Sequence, residues 1–550
     1  MNSKSFIYIL IFLVFGHFNA SSQTLNYTSD LVLFTDRDFC MSGDTVWFKV
    51  CLPDSIQQKE NVIRVQLDGK GNNLISNVIK KAENSWAEGF ISVPDSLSTG
   101  QYFVTAFINS QRNLSDLTFK SKSLLVYNRF EERVSEMDLL ARDSFVENID
   151  RNFDIKIESN KEKYASREKV TVNFGFEEEI NNVLVRASIV DPLTKEFSGD
   201  YKFKLKPSNN LIPDFAEKDG FLISGRVVDA ERIPQKGVLV LMSITGEPPY
   251  FDYYLSGKDG DFHFFLKNAF GKANIVIQAI SGNQNEYFIE QEANYLEKQC
   301  ELSAQTKILT LIQSEFISTL IKGNFIDRLF RSSNLIQTEY FEMPPRFGVP
   351  FYGPPTERVL PDEFIDLPNF NEISKELLFG VQYRNRKGNI TIRMINDSQS
   401  GGFFINEPLR LLNGIPIFNN SLFSTLNSKD INYIDIVQKE RIFGVLSFKG
   451  ILAVSLHDKS NIWLNQQANI FQFKINCLQP GTEPEYLSVK EINKSTLDSR
   501  QVYYWEVIKS DSLKEIEFFL SDLKGEVEIS VEGMTAKNKM FRASKTIEVK

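Results

Sequence analysis

The sequence predicts a mainly β, multidomain chain: a string of β-sandwiches interrupted by one small α+β unit and a few helices. Three observations predict this. Apolar residues alternate with polar ones over short runs bounded by Gly, Pro, Asn or Asp, the period-2 pattern of half-buried strands. Aromatic residues make up 12% of the chain and most are Phe, which suits sheet cores. Helical spacing stands out in one place, between Glu301 and Phe330, where Leu309, Ile312, Phe316 and Leu320 lie three or four apart. A length of 550 residues sets the expectation of several units of about 150 residues each.

Residues 1–22 read as a secretory signal peptide: Lys4, an apolar run from Phe6 to Phe15, then Ala20 and Ser22 before the cleavage point. The apolar run is well short of the roughly 20 residues a membrane helix needs. The expectation is export, to the periplasm or to an outer-membrane-associated position, without integral membrane segments. Formal charge is -9 and the notable feature is the lack of a long Lys/Arg block, which argues against nucleic acid as a partner. Four cysteines are too few for a disulfide scaffold. Cys40 and Cys51 flank one hairpin bend and could bridge if their Cβ atoms faced; buried free thiols are the simpler reading.

Residues 25–128 carry short strands with polar turns, including the alternation of Val46, Phe48 and Val50 and the run Tyr102, Val104, Ala106, Ile108. This segment resembles the MG2-type macroglobulin domain through Thr35-Asp36-Arg37, Gly43, Val46-Trp47-Phe48 and Gly100-Gln101-Tyr102, which implies a β-sandwich. The Gly-Cys-Gly-Glu-Gln thioester run of protease-trapping macroglobulins is absent. Asp36 and Arg37 read as a structural ion pair. Residues 129–151 read as a charged, helix-compatible linker, and 152–212 as a second macroglobulin-like β domain.

Residues 219–297 show three strand faces, among them Phe262, Phe264 and Leu266. They resemble the carboxypeptidase regulatory-like domain through Gly225-Arg226-Val227-Val228-Asp229, Pro234, Gly237-Val238 and Asp259-Gly260-Asp261-Phe262. The resemblance implies a small β-sandwich and no peptidase. Asp259-Gly260-Asp261 reads as a hairpin turn in preference to a Ca²⁺ loop, whose remaining oxygen ligands are missing. Residues 298–342 are expected to form a helical segment and 343–368 a Pro-rich linker.

Residues 369–460 open with Asn369 and Glu372, a capping box for a short helix, and contain a Pro-flanked strand, an Asn-Gly turn and two further strands. They resemble the TonB-dependent receptor plug domain through Pro408, Leu409, Gly414, Ile415, Pro416, Ile431, Ile434, Ile436, Gly444, Gly450, Ile451 and Val454. The family's turn Asp is Asn413 here. A transporter barrel of about 22 strands at ~10 residues each needs more chain than follows Lys459, so the expectation is a plug-like unit without a barrel of its own. Residues 461–550 are expected to form a final C-terminal β-sandwich.

Signs of catalysis are lacking. Beyond the leader the histidines are His263 and His457, in different units, so no His-based metal site can be built. No Gly-x-Ser-x-Gly elbow, P-loop or Gly-x-Gly-x-x-Gly run occurs. The expectation is therefore no enzyme, no cofactor and no metal. Together the units resemble the macroglobulin, carboxypeptidase-regulatory and plug-like proteins of Bacteroidetes-type envelopes, which implies a non-enzymatic scaffold or binding protein docking on an outer-membrane β-barrel complex for transport, secretion or assembly. Asn413, Gly414, Ile415 and Pro416 are the candidate docking turn; the simpler reading, favoured by the pattern, is that they close a hairpin. The alternative function is a surface-exposed adhesive or glycan/peptide-binding protein.

Overall fold

The computed structural model describes residues 31–550 except 70–72, 114–117, 132–135, 141–154, 177–181, 198–199, 206–214, 281–285, 293, 300–303, 331–346, 365, 399–401, 462–463, 465–468, 482–496, 510–511 and 535–539. The expected signal peptide and Cys300 lie outside the described residues. The chain is mainly β and multidomain. No helix among the described residues is long and apolar enough to cross a membrane.

The first sandwich has one sheet of Val32–Thr35, Thr45–Cys51 and Trp86–Ser92. The other sheet orders Leu74–Lys81, Val62–Asp68, Gly100–Ile108 and Thr118–Tyr127, with Phe39–Met41 joining in parallel. Alternating Val46, Phe48 and Val50 meet Ile63, Val65 and Leu67 in its core, where packing of two apolar faces is what lets each sheet leave water. Asp36 is fully buried, accepts from the Trp47 amide (3.0 Å) and pairs with Arg37 (2.9 Å), so this motif is a strand-start clamp. Cys40 and Cys51 are both buried, in different cores, and are not bridged to each other. Burial pushes the Cys40 thiol well above the ordinary range.

The sandwiches do not follow one another like beads. Asp200–Leu205 and Lys298–Gln299 extend the larger sheet of the first sandwich. Lys298, almost fully buried there, is held by Asp68, Thr105 and Ser121. The second sandwich begins with Ile155–Ser159, Lys163–Tyr164, Lys169–Phe176 and Asn182–Ile189, and is completed by Val502–Lys509, Glu515–Phe519, Gly525–Met534 and Met540–Val549. The expected free-standing C-terminal sandwich over 461–550 is thus corrected: most of its strands complete the sheets opened over 152–212, and Ile470–Asn476 joins the third sandwich. The physical reason is edge satisfaction. Of the four early strands only Ile155–Ser159 and Lys169–Phe176 pair with each other; Lys163–Tyr164 and Asn182–Ile189 find their partners within residues 502–549, which carry the matching apolar face.

Two further expectations change. Within the charged stretch expected as a helix-compatible linker, Glu136–Leu140 is a strand paired with Ala304–Ile308, burying Met137 and Leu139. The helix Leu311–Phe330 is present, but Ile312 is 71% exposed and the buried face carries Gln313, Ile317 and Leu320. This helix lies over the seam of two sandwiches. Phe316 packs edge-on against Phe39 of the first (5.6 Å), while Ile317 and Leu320 enter the core of the second.

The third sandwich has sheets Asp261–Lys267, Gly220–Val228, Phe288–Gln291 and Tyr250–Leu255, Leu239–Ile244, Lys272–Ile280, Ile470–Asn476. Asp259-Gly260-Asp261 makes its turn, with Gly260 at φ 72°. It is tied to the first sandwich by the fully buried Arg64–Glu217 ion pair, which includes an Arg64 Nη2 to Glu217 Oε1 bond of 2.7 Å. A second tie comes from Gln479, whose side chain donates to the Phe90 carbonyl and accepts from the Phe90 amide, both at 2.9 Å, as a neighbouring strand would.

The α+β unit is a mixed sheet ordered Glu357–Val359, Ile431–Phe443, Leu446–Leu456, Leu409–Leu412 and Ile415–Pro416. Its core is covered by the helix Phe370–Glu376 and the hairpin Val381–Arg386/Asn389–Met394. Asn369 caps that helix by accepting from the Glu372 amide (3.1 Å). The described part of the expected 343–368 linker is not free: Glu357–Val359 is an edge strand of the sheet, and Phe347 and Phe351 pack against the third sandwich.

Candidate binding cleft

The cleft forms where the α+β unit meets the third sandwich, and the Asn-Gly turn stands at its base. Asn413 (φ 50°) and Gly414 (φ 83°) are both left-handed, the conformation a two-residue hairpin turn needs and the reason Gly occupies its second position. The strands it joins pair Leu412 with Ile415 and Leu411 with Pro416. The Asn413 side chain also organises the loop after the neighbouring strand. Its Nδ2 donates to the Asp458 carbonyl (3.0 Å) and to Asn461 Oδ1 (2.8 Å), and its Oδ1 accepts from the Leu456 amide (2.8 Å). A carboxylate has no N–H to give, so Asn rather than Asp satisfies this position.

Asn413, Gly414, Ile415 and Pro416 are all buried, which corrects their reading as a turn offered to an external partner. Gly414 lies against Pro249, where an added Cβ would come within 2.3 Å of the proline Cβ. Ile415 packs with Val276 and Leu464, and Gln278 Nε2 donates to the Pro416 carbonyl (3.0 Å). The turn therefore joins two units of the same chain. An aromatic seam continues the joint: Phe351 stacks on Phe251 at 4.8 Å, Phe443 lies 5.5 Å from Phe351, and Tyr250 faces Phe347 at 4.7 Å. The Val445 amide at the tip of the long hairpin donates to Tyr253 Oη (2.9 Å).

Between these contacts a cleft of about 820 Å³ remains open. One wall is Thr245–Glu247, Pro249 and Lys272–Asn274, with Lys474; the other is Tyr352, Tyr433 and Ala453–Ser455, with Asn413, Gly414, Lys459 and Asn461. Among the described residues its charged lining is Lys272, Lys459, Lys474 and Glu247, the last 3.1 Å from Lys459. Asn461 is 2% exposed and its Nδ2 has no hydrogen-bond partner among the described residues, a buried donor at the cleft wall. Tyr352 donates to the fully buried Asp435 (2.8 Å), which also receives Arg358 through two bonds of 2.6 and 2.7 Å. Burial and then the Asp435 carboxylate hold the Tyr352 phenol well above the ordinary range, and burial raises Tyr433, so both hydroxyls stay neutral. Arg358 lies 4.2 Å over the Tyr433 ring and fixes that side chain from behind.

These groups offer hydrogen bonds and positive charge, and the arrangement suits recognition. His263 and His457 lie in separate units, beside Asp261 (3.2 Å) and Asp362 (3.9 Å). Among the described residues no three His, Cys, Asp or Glu side chains gather as a metal site. Sequence reasoning found the turn at the cleft base and missed Lys272, Lys459, Asn461 and Lys474. Those residues come from segments some 200 positions apart, and no local spacing connects them.

No protein-family model matches the chain, and no curated protein matches it. Among solved structures it matches trypsin-activated alpha-2-macroglobulin from Escherichia coli at 9% identity and a TM-score of 0.23, over 95% of this chain and 42% of that one. It also matches the native conformation of the Escherichia coli protein, at 9% identity and a TM-score of 0.23, over 96% of this chain and 40% of that one. Salmonella alpha-2-macroglobulin reacted with methylamine matches at 10% identity and a TM-score of 0.22, over 95% and 39%. The chain thus spans about two fifths of the length of these proteins, and its fold class rests on the strand pairings described above.

Proposed function

We propose that the chain is an exported, non-catalytic binding scaffold whose cleft receives an acidic segment of a partner protein in the envelope. An outer-membrane β-barrel complex is the partner suggested by the plug-like pattern of residues 369–460. The observation that carries the reading is the convergence of Lys272 and Lys474 from the third sandwich with Lys459 from the α+β unit around one cleft, where Glu247 is the carboxylate among the described lining residues. Clefts between units are where ligands are commonly held, and fixed donors there cost little reorganisation. The interlocked strands keep the two walls in register, so the site is preformed.

The test is fluorescence anisotropy with a labelled Glu-rich peptide and a neutral peptide of the same length, beside co-purification of outer-membrane proteins from cross-linked cells. The Glu-rich peptide is expected to bind with strong salt dependence. Lys272→Glu/Lys474→Glu is expected to weaken it at least tenfold and to abolish co-purification of the barrel partner. Equal binding by parent and variant removes the proposal, and salt-insensitive binding of a neutral oligosaccharide in its place favours the adhesive alternative.

A further inference from the structure

The α+β unit carries a second concavity that shares no lining residue with the cleft. In the hairpin Val381–Arg386/Asn389–Met394 the register Arg384 to Thr391 and Gln382 to Arg393 puts Arg384, Arg386 and Arg393 on one face. The opposite face buries Val381, Tyr383, Ile392 and Met394. A hollow of about 590 Å³ lies between the hairpin and the helix Phe370–Glu376. Among the described residues its charged lining is Lys375, Arg384 and Arg386, all exposed, with no carboxylate. Glu372, at the same helix end, is engaged by the Asn369 amide at 3.1 Å.

Three like charges gathered in one hollow repel one another, in a chain whose formal net charge is -9. Among the described residues no ion pair relieves Lys375, Arg384 or Arg386. A multivalent anion removes that repulsion, and two guanidinium forks spaced i, i+2 on a strand match the oxygens of a phosphate better than a single carboxylate. The remaining lining is suited to hydroxyl groups. Asn385 uses its Oδ1 to accept from the Gly388 amide (3.0 Å), which leaves its N–H pair to donate. Ser424 donates to the Ser421 carbonyl (2.6 Å), which leaves its oxygen to accept. Asn371 adds a further amide. The volume falls within the ~300–1,000 Å³ typical of small-ligand sites.

We propose that this hollow binds a soluble phosphorylated sugar, with the phosphate on Arg384, Arg386 and Lys375 and the sugar hydroxyls on Asn371, Asn385 and Ser424. The test is titration calorimetry of the full chain with glucose 6-phosphate as probe, glucose and inorganic phosphate as comparators, and flotation with phosphatidylglycerol vesicles. Glucose 6-phosphate is expected to bind at one site, at least tenfold more tightly than inorganic phosphate, with no heat from glucose. Arg384→Gln/Arg386→Gln is expected to weaken binding at least tenfold at unchanged Tm, since both side chains are exposed. Lys375→Gln, outside the hairpin, gives a second reading of the same loss should the double variant melt early. Absence of heat with glucose 6-phosphate, undiminished binding by both variants, equal binding of glucose, or association with vesicles alone overturns the proposal.

Discussion

Trp505→Ala tests whether the sandwiches are one interlocked body. Trp505 sits on a strand of the second sandwich, is 2% exposed, and packs with Phe34, Cys51 and Trp86 of the first and with Leu184 of its own sheet. A buried Trp removes about 200 Å² from water, worth roughly 5 kcal/mol at about 25 cal/mol per Å². Alanine keeps a little of that and leaves a cavity, so the measured cost is expected at about 4 kcal/mol, within the ~3–5 kcal/mol range of such truncations. Lys49, whose Nζ stands 5.9 Å from the ring, loses a further contact worth some tenths of a kcal/mol. The assay is amide hydrogen exchange by peptide. About 4 kcal/mol corresponds to roughly 10³-fold faster exchange where opening is cooperative. Acceleration is expected in Val502–Lys509 and equally in Thr45–Cys51 and Trp86–Ser92, more than 400 positions earlier. Faster exchange confined to residues 502–549 refutes the interlocking and returns the chain to independent units.

Two other predictions concern burial and the turn. Glu60 is fully buried, accepting from the Asn109 amide (2.8 Å) and the Ser110 hydroxyl (2.5 Å), and burial pushes its carboxyl up to about 7 from 4.5. Below about pH 4.5 both folded and unfolded chains hold the proton; from there to about 7 the unfolded chain releases it first, so stability falls as pH rises, by about 3 kcal/mol in all. Glu60→Gln is expected to remove that part of the decline, seen as a gain in urea midpoint at pH 8 and little change at pH 4; an identical pH slope in parent and variant rejects the assignment. Gly414→Ala puts a methyl against Pro249 and a side chain in left-handed backbone, costing ~2 kcal/mol or more, so limited proteolysis should cut sooner between the third sandwich and the α+β unit. Unchanged cleavage and Tm in that variant contradict the buried joint.

Local pattern carried much of the fold. Phe262, Phe264 and Leu266 show their buried face through alternation alone, because a strand's side chains point by parity whatever its partner is. Val46, Phe48 and Val50 do the same, but Trp47, Lys49 and Cys51 between and beyond them are buried as well, so the strand expected to be half-buried is covered on both faces. Asn413-Gly414 likewise declares its turn, since two consecutive positive φ values select for those residues. What alternation does not contain is the identity of the neighbour. Asn182–Ile189 pairs with strands more than 300 positions later, and nothing within either segment names the other. The helix shows the same limit: its stripe is shifted from Ile312 to Gln313 and Ile317 because two sandwiches, rather than one flat surface, cover it. The cleft lysines were hidden for the same reason, being assembled by packing between units.

The second sandwich also sets a timetable. Strands from Ile155 to Ile189 emerge early in synthesis, yet the partners that cover their edges arrive with residues 502–549. Pairings of such long sequence separation are slow to find and leave apolar edges uncovered in the meantime. The nascent chain therefore has to be shielded until these later strands are delivered, and a release that comes too soon exposes edges that can zip onto a second copy.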